Sequence, residues 1–220
     1  MQRYRSFLAT VALVTCAVAI SGGLPRASAD VRLPNVFGSN MVMQRDADLP
    51  VWGWADPGEA VTVAVGDNKA TAKAGKDGKW MVKLAPMKAG GPHMLTVSGN
   101  NSLTLDNVLV GEVWVCSGQS NMEWSVERSD NKDKEIPAAA YPKIRLFHIP
   151  KVPAGSPQED VDAAWVECTP QSIPTFTAVG YFFGRELHRE LDIPVGLLET
   201  AWGGTRSAPW TPTVGFDSTP

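Results

Sequence analysis

The sequence predicts an α/β domain preceded by a small all-β sandwich. Three observations carry that expectation. Residues 31–107 hold short β-branched or alternating runs between Gly, Pro and Asn turns, with no helical period. Past that point an apolar run, Val113-Trp114-Val115-Cys116, breaks at Ser117-Gly118 into residues that can open a helix. Further on, a helical period over residues 177–191 returns through Pro194 to a second apolar run, Val195-Gly196-Leu197-Leu198.

Residues 1–29 read as a signal peptide. Arg3 and Arg5 supply the positive start, residues 7–20 are an apolar stretch too short to span a bilayer, and Ala27-Ser28-Ala29 fits the cleavage rule. The mature chain is then expected to begin at Asp30, in a secreted or periplasmic setting. Cys16 does not read as a lipid anchor, because Thr15 precedes it where a small Gly or Ala is needed. Losing Arg3, Arg5 and Arg26 takes the basic count from 20 to 17 against 23 acids, and the net charge from −3 to −6. With no basic block, neither nucleic acid nor a membrane surface is an expected partner. Cys116 and Cys168 remain in the mature chain, either paired in an oxidising compartment or buried as free thiols. They and the three histidines do not cluster, so no metal is expected, and no cofactor either.

The sandwich is expected over residues 30–107. Residues 61–65, 79–84 and 94–98 read as strands, and Gly75-Lys76-Asp77-Gly78 as a hairpin turn between residues 71–74 and 79–84. Trp52, Trp54 and Trp80 form either a sugar-stacking platform or sandwich core; their burial area favours core. Residues 108–220 carry the α/β part. Residues 113–116 read as a buried strand, 144–149 as another, and 152–164 as an acidic, Pro- and Gly-rich loop. In the helix, Thr177 is the N-cap. Val179, Phe182, Phe183, Leu187 and Leu191 fall on one stripe, opposite Arg185, His188 and Arg189.

The chemistry centres on Ser120. A strand, a glycine turn and a helix start put its hydroxyl at the carboxyl end of a sheet, the logic of a nucleophile elbow. Gly118-Gln119-Ser120-Asn121-Met122 lacks the second glycine of the common form. Cys116 sits inside the strand and is not the expected nucleophile. Serine needs a base, and His93, His148 and His188 each read as solvated or edge residues.

The string from Glu112 to Met122 resembles the first motif of the sialate O-acetylesterase family, a branch of the GDSL-like (SGNH) hydrolases. Pro194-Val195-Gly196-Leu197-Leu198-Glu199-Thr200-Ala201-Trp202-Gly203-Gly204-Thr205 resembles a second motif. Met41-Val42-Met43-Gln44-Arg45 followed by Pro50-Val51-Trp52-Gly53-Trp54 resembles an upstream one. The three stand in the family's order over most of the chain. The resemblance implies a flavodoxin-like SGNH hydrolase domain and a serine esterase that removes O-acetyl groups from sialic acid or related sugars. It also implies Ser120 as nucleophile and an oxyanion hole from the Ser120 N–H and that of Gly203, with Gly204 the close alternative. Asn121, Met122, Glu123 and Trp124 would line the pocket entrance or pack the elbow.

The family's catalytic Asp and His lie in a D-x-x-H element near the end of its hydrolase domain. Asp192 is followed by Ile193-Pro194-Val195 and Asp217 by Ser218-Thr219-Pro220, so neither begins one. The chain therefore reads as an incomplete hydrolase, the N-terminal part of a larger enzyme and inactive by itself. Acetylated xylan or another plant glycan is an equal substrate. A carbohydrate-binding module without catalysis is the reading from another class.

Overall fold

Ten strands and three α-helices form among the described residues, 30–206, 208–211 and 215 of the computed structural model. The signal peptide expected over residues 1–29 lies outside them, as does Asp217. The strands are β1 (Val42–Gln44), β2 (Leu49–Trp54), β3 (Ala60–Val65), β4 (Asn68–Lys73), β5 (Lys79–Leu84), β6 (Gly90–Ser98), β7 (Ser102–Cys116), β8 (Tyr141–His148), β9 (Trp165–Cys168) and β10 (Val195–Glu199). The helices are α1 (Ser120–Glu123), α2 (Lys132–Ala138) and α3 (Ala178–Leu191).

Eight strands make one mixed sheet in the order β4-β3-β6-β7-β10-β8-β9, with β1 beside β7; β2 and β5 form a separate antiparallel pair. The fold is thus mixed α/β around a large sheet. Its spine is β7, fifteen residues long. Its first half runs antiparallel to β6, and its second half parallel to β10. Residues 107 and 108, where the sequence reading parts its two domains, are neighbours inside this strand, and Asn107 there adopts a left-handed φ of 57°.

The turn at residues 75–78 forms, with the Gly78 N–H donating to the Gly75 carbonyl at 3.0 Å, but it closes no hairpin. β4 pairs with β3, and β5 with β2, so the turn carries the chain from one sheet to the other. Side-chain burial explains the choice. β5 turns Trp80, Val82 and Leu84 inward and β2 turns Leu49 and Val51 inward, whereas β4 has no fully buried residue and suits an edge.

The first core lies between the β2–β5 pair and β3, β6 and β7, and Phe147 and Trp165 from the second half of the chain join it. Trp80 belongs to this core at 3% exposure, as expected for a large aromatic. Trp52 and Trp54 do not. They stand on the outer face of β2, Trp52 36% exposed, because period-two alternation already commits Leu49 and Val51 to the inside.

A second core packs α3 and α2 on the β7–β10–β8 part of the sheet. Thr177 caps α3, its hydroxyl oxygen accepting the Gly180 N–H at 3.1 Å. The apolar stripe of this helix is only partly covered: Phe182 and Leu187 pack on this core, whereas Val179, Phe183 and Leu191 are exposed. Ala178, Gly180, Tyr181 and Gly184 are buried instead. A Cβ on Gly180 would stand 2.8 Å from the Cys116 sulfur, and one on Gly184 2.8 Å from Leu197, so the glycines let helix and sheet approach closely.

The strand at residues 113–116 is likewise less buried than its composition predicts, with Trp114 43% and Val115 65% exposed. Beyond Gly111 the partner strand β1 has ended, and there the Gln44 side chain accepts the Val113 N–H at 3.0 Å. Cys116 and Cys168 are free and buried, and burial pushes their thiols up to about 11 and about 12.

Candidate active site

Parallel pairing of β7 with β10 sets Cys116 opposite Glu199, so the two strands end at one level. The chain leaving β7 turns at Gly118, whose φ of 146° is one that side chains rarely adopt, and Ser120 then opens α1 with its residue exposed. The chain leaving β10 is laced to that turn: the Thr200 N–H donates to the Cys116 carbonyl at 3.0 Å and the Trp202 N–H to the Gly118 carbonyl at 2.9 Å. This lacing brings Gly203 against Ser120. A Cβ added to Gly203 would lie 3.4 Å from the Ser120 Cα.

The Gly203 N–H donates to the Glu123 carboxylate, and Lys151 pairs with the other oxygen of that carboxylate. A line of Lys151, Glu123 and the Gly203 amide thus runs beside the serine. Gly204 has a φ of 78° and open space where a side chain would be. The remaining elbow residues divide between the two roles the sequence left open. Met122 packs on the second core and takes a 3.5 Å contact from the Thr177 hydroxyl. Trp124 turns away, its indole N–H on the Arg128 carbonyl at 3.0 Å, and Asn121 is exposed.

Beneath the elbow lies a carboxylate that the sequence reading passed over. Glu199 is 2% exposed and accepts the Thr177 N–H at 2.9 Å. Burial pushes its carboxyl above the ordinary value, while the Thr177 amide, His148 and Lys151 pull it back. An acid ending an apolar run, Leu197-Leu198-Glu199, was the available signal. Lys151, in a loop, offered none.

His148 ends β8 at the same level, with its Nδ1 3.9 Å from a Glu199 oxygen, so it faces a buried acid and is not simply solvated. His188 is spent on the Ile193 carbonyl at 2.7 Å, and His93 sits where β6 slips register against β7. A cavity of about 480 Å³ opens beside the turn, lined by Pro150, Lys151, Val152, Trp202, Thr205 and Trp210. Its wall is braced by the Trp210 indole donating to the Thr205 hydroxyl at 2.8 Å, which donates to the Trp202 carbonyl at 2.7 Å. Among the described residues no group of three or more His, Cys, Asp or Glu gathers as a metal site.

Known proteins resemble the chain as a whole. The chain is 34% identical over 202 residues to the sialate O-acetylesterase of Homo sapiens, covering 82% of this chain and 38% of that protein. It is 33% identical over 222 residues to the sialate O-acetylesterase of Mus musculus, covering 91% of this chain and 40% of that one. Among solved structures, it superposes on a carbohydrate acetylesterase from Xanthomonas citri with a TM-score of 0.82 and 36% identity, over 86% of this chain and 44% of the other. No family model matches. The chain spans about two fifths of the length of these curated relatives.

Proposed function

Because the chain belongs to the sialate O-acetylesterase family, we propose that it is the N-terminal part of a secreted or periplasmic carbohydrate O-acetylesterase with Ser120 as nucleophile. The observation that carries this is that Gly203 lies close beside Ser120 at the carboxyl ends of two adjacent parallel strands. An open α/β sheet gathers its ligands at that edge. In this reading the α/β part is a flavodoxin-like SGNH hydrolase domain whose later strands follow downstream, and residues 30–107 are a small sandwich in front of it.

The Ser120 hydroxyl attacks the acetyl carbonyl, and its proton passes to a base. The tetrahedral oxyanion is held by the Ser120 and Gly203 N–H groups, with Gly204 as the alternative donor. The sugar oxygen leaves with the proton, and water then cleaves the acetyl-serine to release acetate. For the Gly203 N–H to reach the oxyanion, Glu123 must release it, and Lys151 gives the freed carboxylate a partner. The base belongs to a D-x-x-H element supplied by downstream sequence, so the 220-residue chain alone is inactive or nearly so. The substrate is an O-acetylated sialic acid or a related acetylated sugar, acetylated xylan included.

A fluorophosphonate probe read by mass spectrometry tests this. The expected result is no labelling of the chain alone, and labelling of Ser120 once downstream sequence with D-x-x-H is added. In that longer protein Ser120→Ala should lower kcat/KM for 4-nitrophenyl acetate by roughly 10³-fold or more. Labelling of the chain alone would place the base within these residues; no labelling of either would sink the esterase reading.

A further inference from the structure

The outer face of β2 and β5 holds a second cavity, of about 540 Å³, that the esterase chemistry does not use. Trp52 and Trp54 rise from it two residues apart on one face of β2, and across the pair stand Met81 and Lys79. Strand geometry spaces successive same-face residues by about 7 Å, so the two indoles form a row along the strand.

The indoles are held in place. Phe37 packs edge-on against Trp52 at 4.6 Å, and the Arg32 guanidinium lies 4.5 Å from the centre of the Trp54 ring. Gly53, between them, belongs to the inner face with Leu49 and Val51, where a Cβ would press on the Arg32 carbonyl oxygen and stand 3.0 Å from the buried Trp80 ring. Around the rim stand two cations, Lys73 and Lys79, and two anions, Asp77 and Glu159. Lys79 pairs with Glu159.

We propose that this cavity is a glycan-binding subsite for a neutral, extended sugar chain. A pyranose offers a flat apolar C–H face and a rim of hydroxyls that both donate and accept. The exposed Trp52 indole, the half-buried Trp54 beside it and the charged rim match both. Arg32 adds a third cation, but it is engaged on the Trp54 ring and Lys79 on Glu159, so an anionic chain would still meet Asp77 and Glu159. Fixed rings also lower the ordering cost of binding.

One loop joins this subsite to the candidate active site. Residues 150–154 line the cavity beside Gly203, and Glu159, a few residues on, lines the tryptophan cavity. Asp160 and Val161 fasten the same loop to Asn35, through hydrogen bonds of 2.7 and 2.8 Å. A single glycan could thus be held on β2 and β5 while its acetyl groups are presented elsewhere. That the glycan is the esterase's own substrate rests on the function proposed above; the binding itself does not.

Affinity electrophoresis of the 220-residue chain through gels containing neutral arabinoxylan, xyloglucan or galactomannan tests the subsite, with polygalacturonate as the anionic control. At least one neutral polysaccharide should retard the chain, polygalacturonate should not, and Ser120→Ala should migrate as wild type. Trp52→Ala should weaken retention about tenfold or more, the scale of losing one anchoring aromatic. Because Trp52 also touches Phe37, Met81→Glu is the companion variant: this 54% exposed side chain lines the cavity and leaves the core alone. It should weaken retention equally with an unchanged melting temperature. No retardation by any neutral polysaccharide overturns the proposal. So does retention by polygalacturonate alone, retention that survives both cavity variants, or retention lost in Ser120→Ala.

Discussion

Glu199 shows how one buried group ties stability to pH. The folded chain holds its proton more tightly than the unfolded chain does, because burial is the largest influence on it and penalises the charge. Its contribution to stability is therefore full below the unfolded value near 4.5 and is lost as pH rises through the higher folded value. Glu199→Gln keeps an acceptor for the Thr177 N–H and removes the charge. Its melting temperature relative to wild type should rise steadily from acid to neutral pH; a pH-independent difference would show that the buried charge is not the cause. Gly203 makes a different demand. A Cβ there would collide with the Glu123 carboxylate oxygen, so Gly203→Ala must displace Glu123 and disturb the amide. In a chain extended by downstream sequence that carries the proposed base, turnover of 4-nitrophenyl acetate should fall roughly 10²–10³-fold while melting stays close to wild type. Loss of fold together with activity would make Gly203 a structural residue only.

At the level of the element, α3 explains much of what the sequence could and could not reveal. Its existence, its Thr177 cap and its end before Pro194 were legible because they rest on local chemistry. Its orientation was legible only in part, through Phe182 and Leu187. Hydrophobic periodicity weighs Val179 and Phe183 and gives glycine no weight, yet Gly180 and Gly184 face the sheet. Gly184→Ala sets the two effects against each other. Alanine favours the helix by about 1 kcal/mol, while forcing a methyl against buried Leu197 costs about 1–3 kcal/mol. The expected net result is a lower midpoint in urea, with Val179→Ala, on the exposed side, nearly neutral; a stabilised Gly184→Ala would mean that the helix sits more loosely than its contacts imply. Strand pairing was hidden for a related reason. The turn at residues 75–78 is visible locally, but which strand β5 joins depends on burial from β2, far away in sequence. The candidate site divides in the same way. Ser120, Gly203 and Glu199 lie in recognisable strings, whereas the place of Glu199 beneath the turn and the part of Lys151 become visible only once two strand ends and a loop converge.

Across the whole molecule, the two halves of the chain share more than one covalent link. β7 runs through both, and Phe147 and Trp165 complete the first core from the second half, the Trp165 indole donating to the Val36 carbonyl at 2.8 Å. Arg145 on β8 is 2% exposed and spans the same join. It donates to the Asn40 carbonyl at 3.0 Å, the Asn107 side-chain oxygen at 3.2 Å and the Pro142 carbonyl at 2.7 Å, with Glu167 3.3 Å away. Arg145→Leu would leave those part-buried oxygens without their donor, at a cost of about 1–3 kcal/mol. Because the shared strand and shared core remain, that loss should fall on the whole described structure. Tryptophan fluorescence and far-UV circular dichroism should trace one coincident urea transition in wild type, and both should move together to lower urea in the variant. Transitions that separate in Arg145→Leu would assign the coupling of the halves to this one side chain. Transitions already separate in wild type would mean that β7 joins two units that unfold independently.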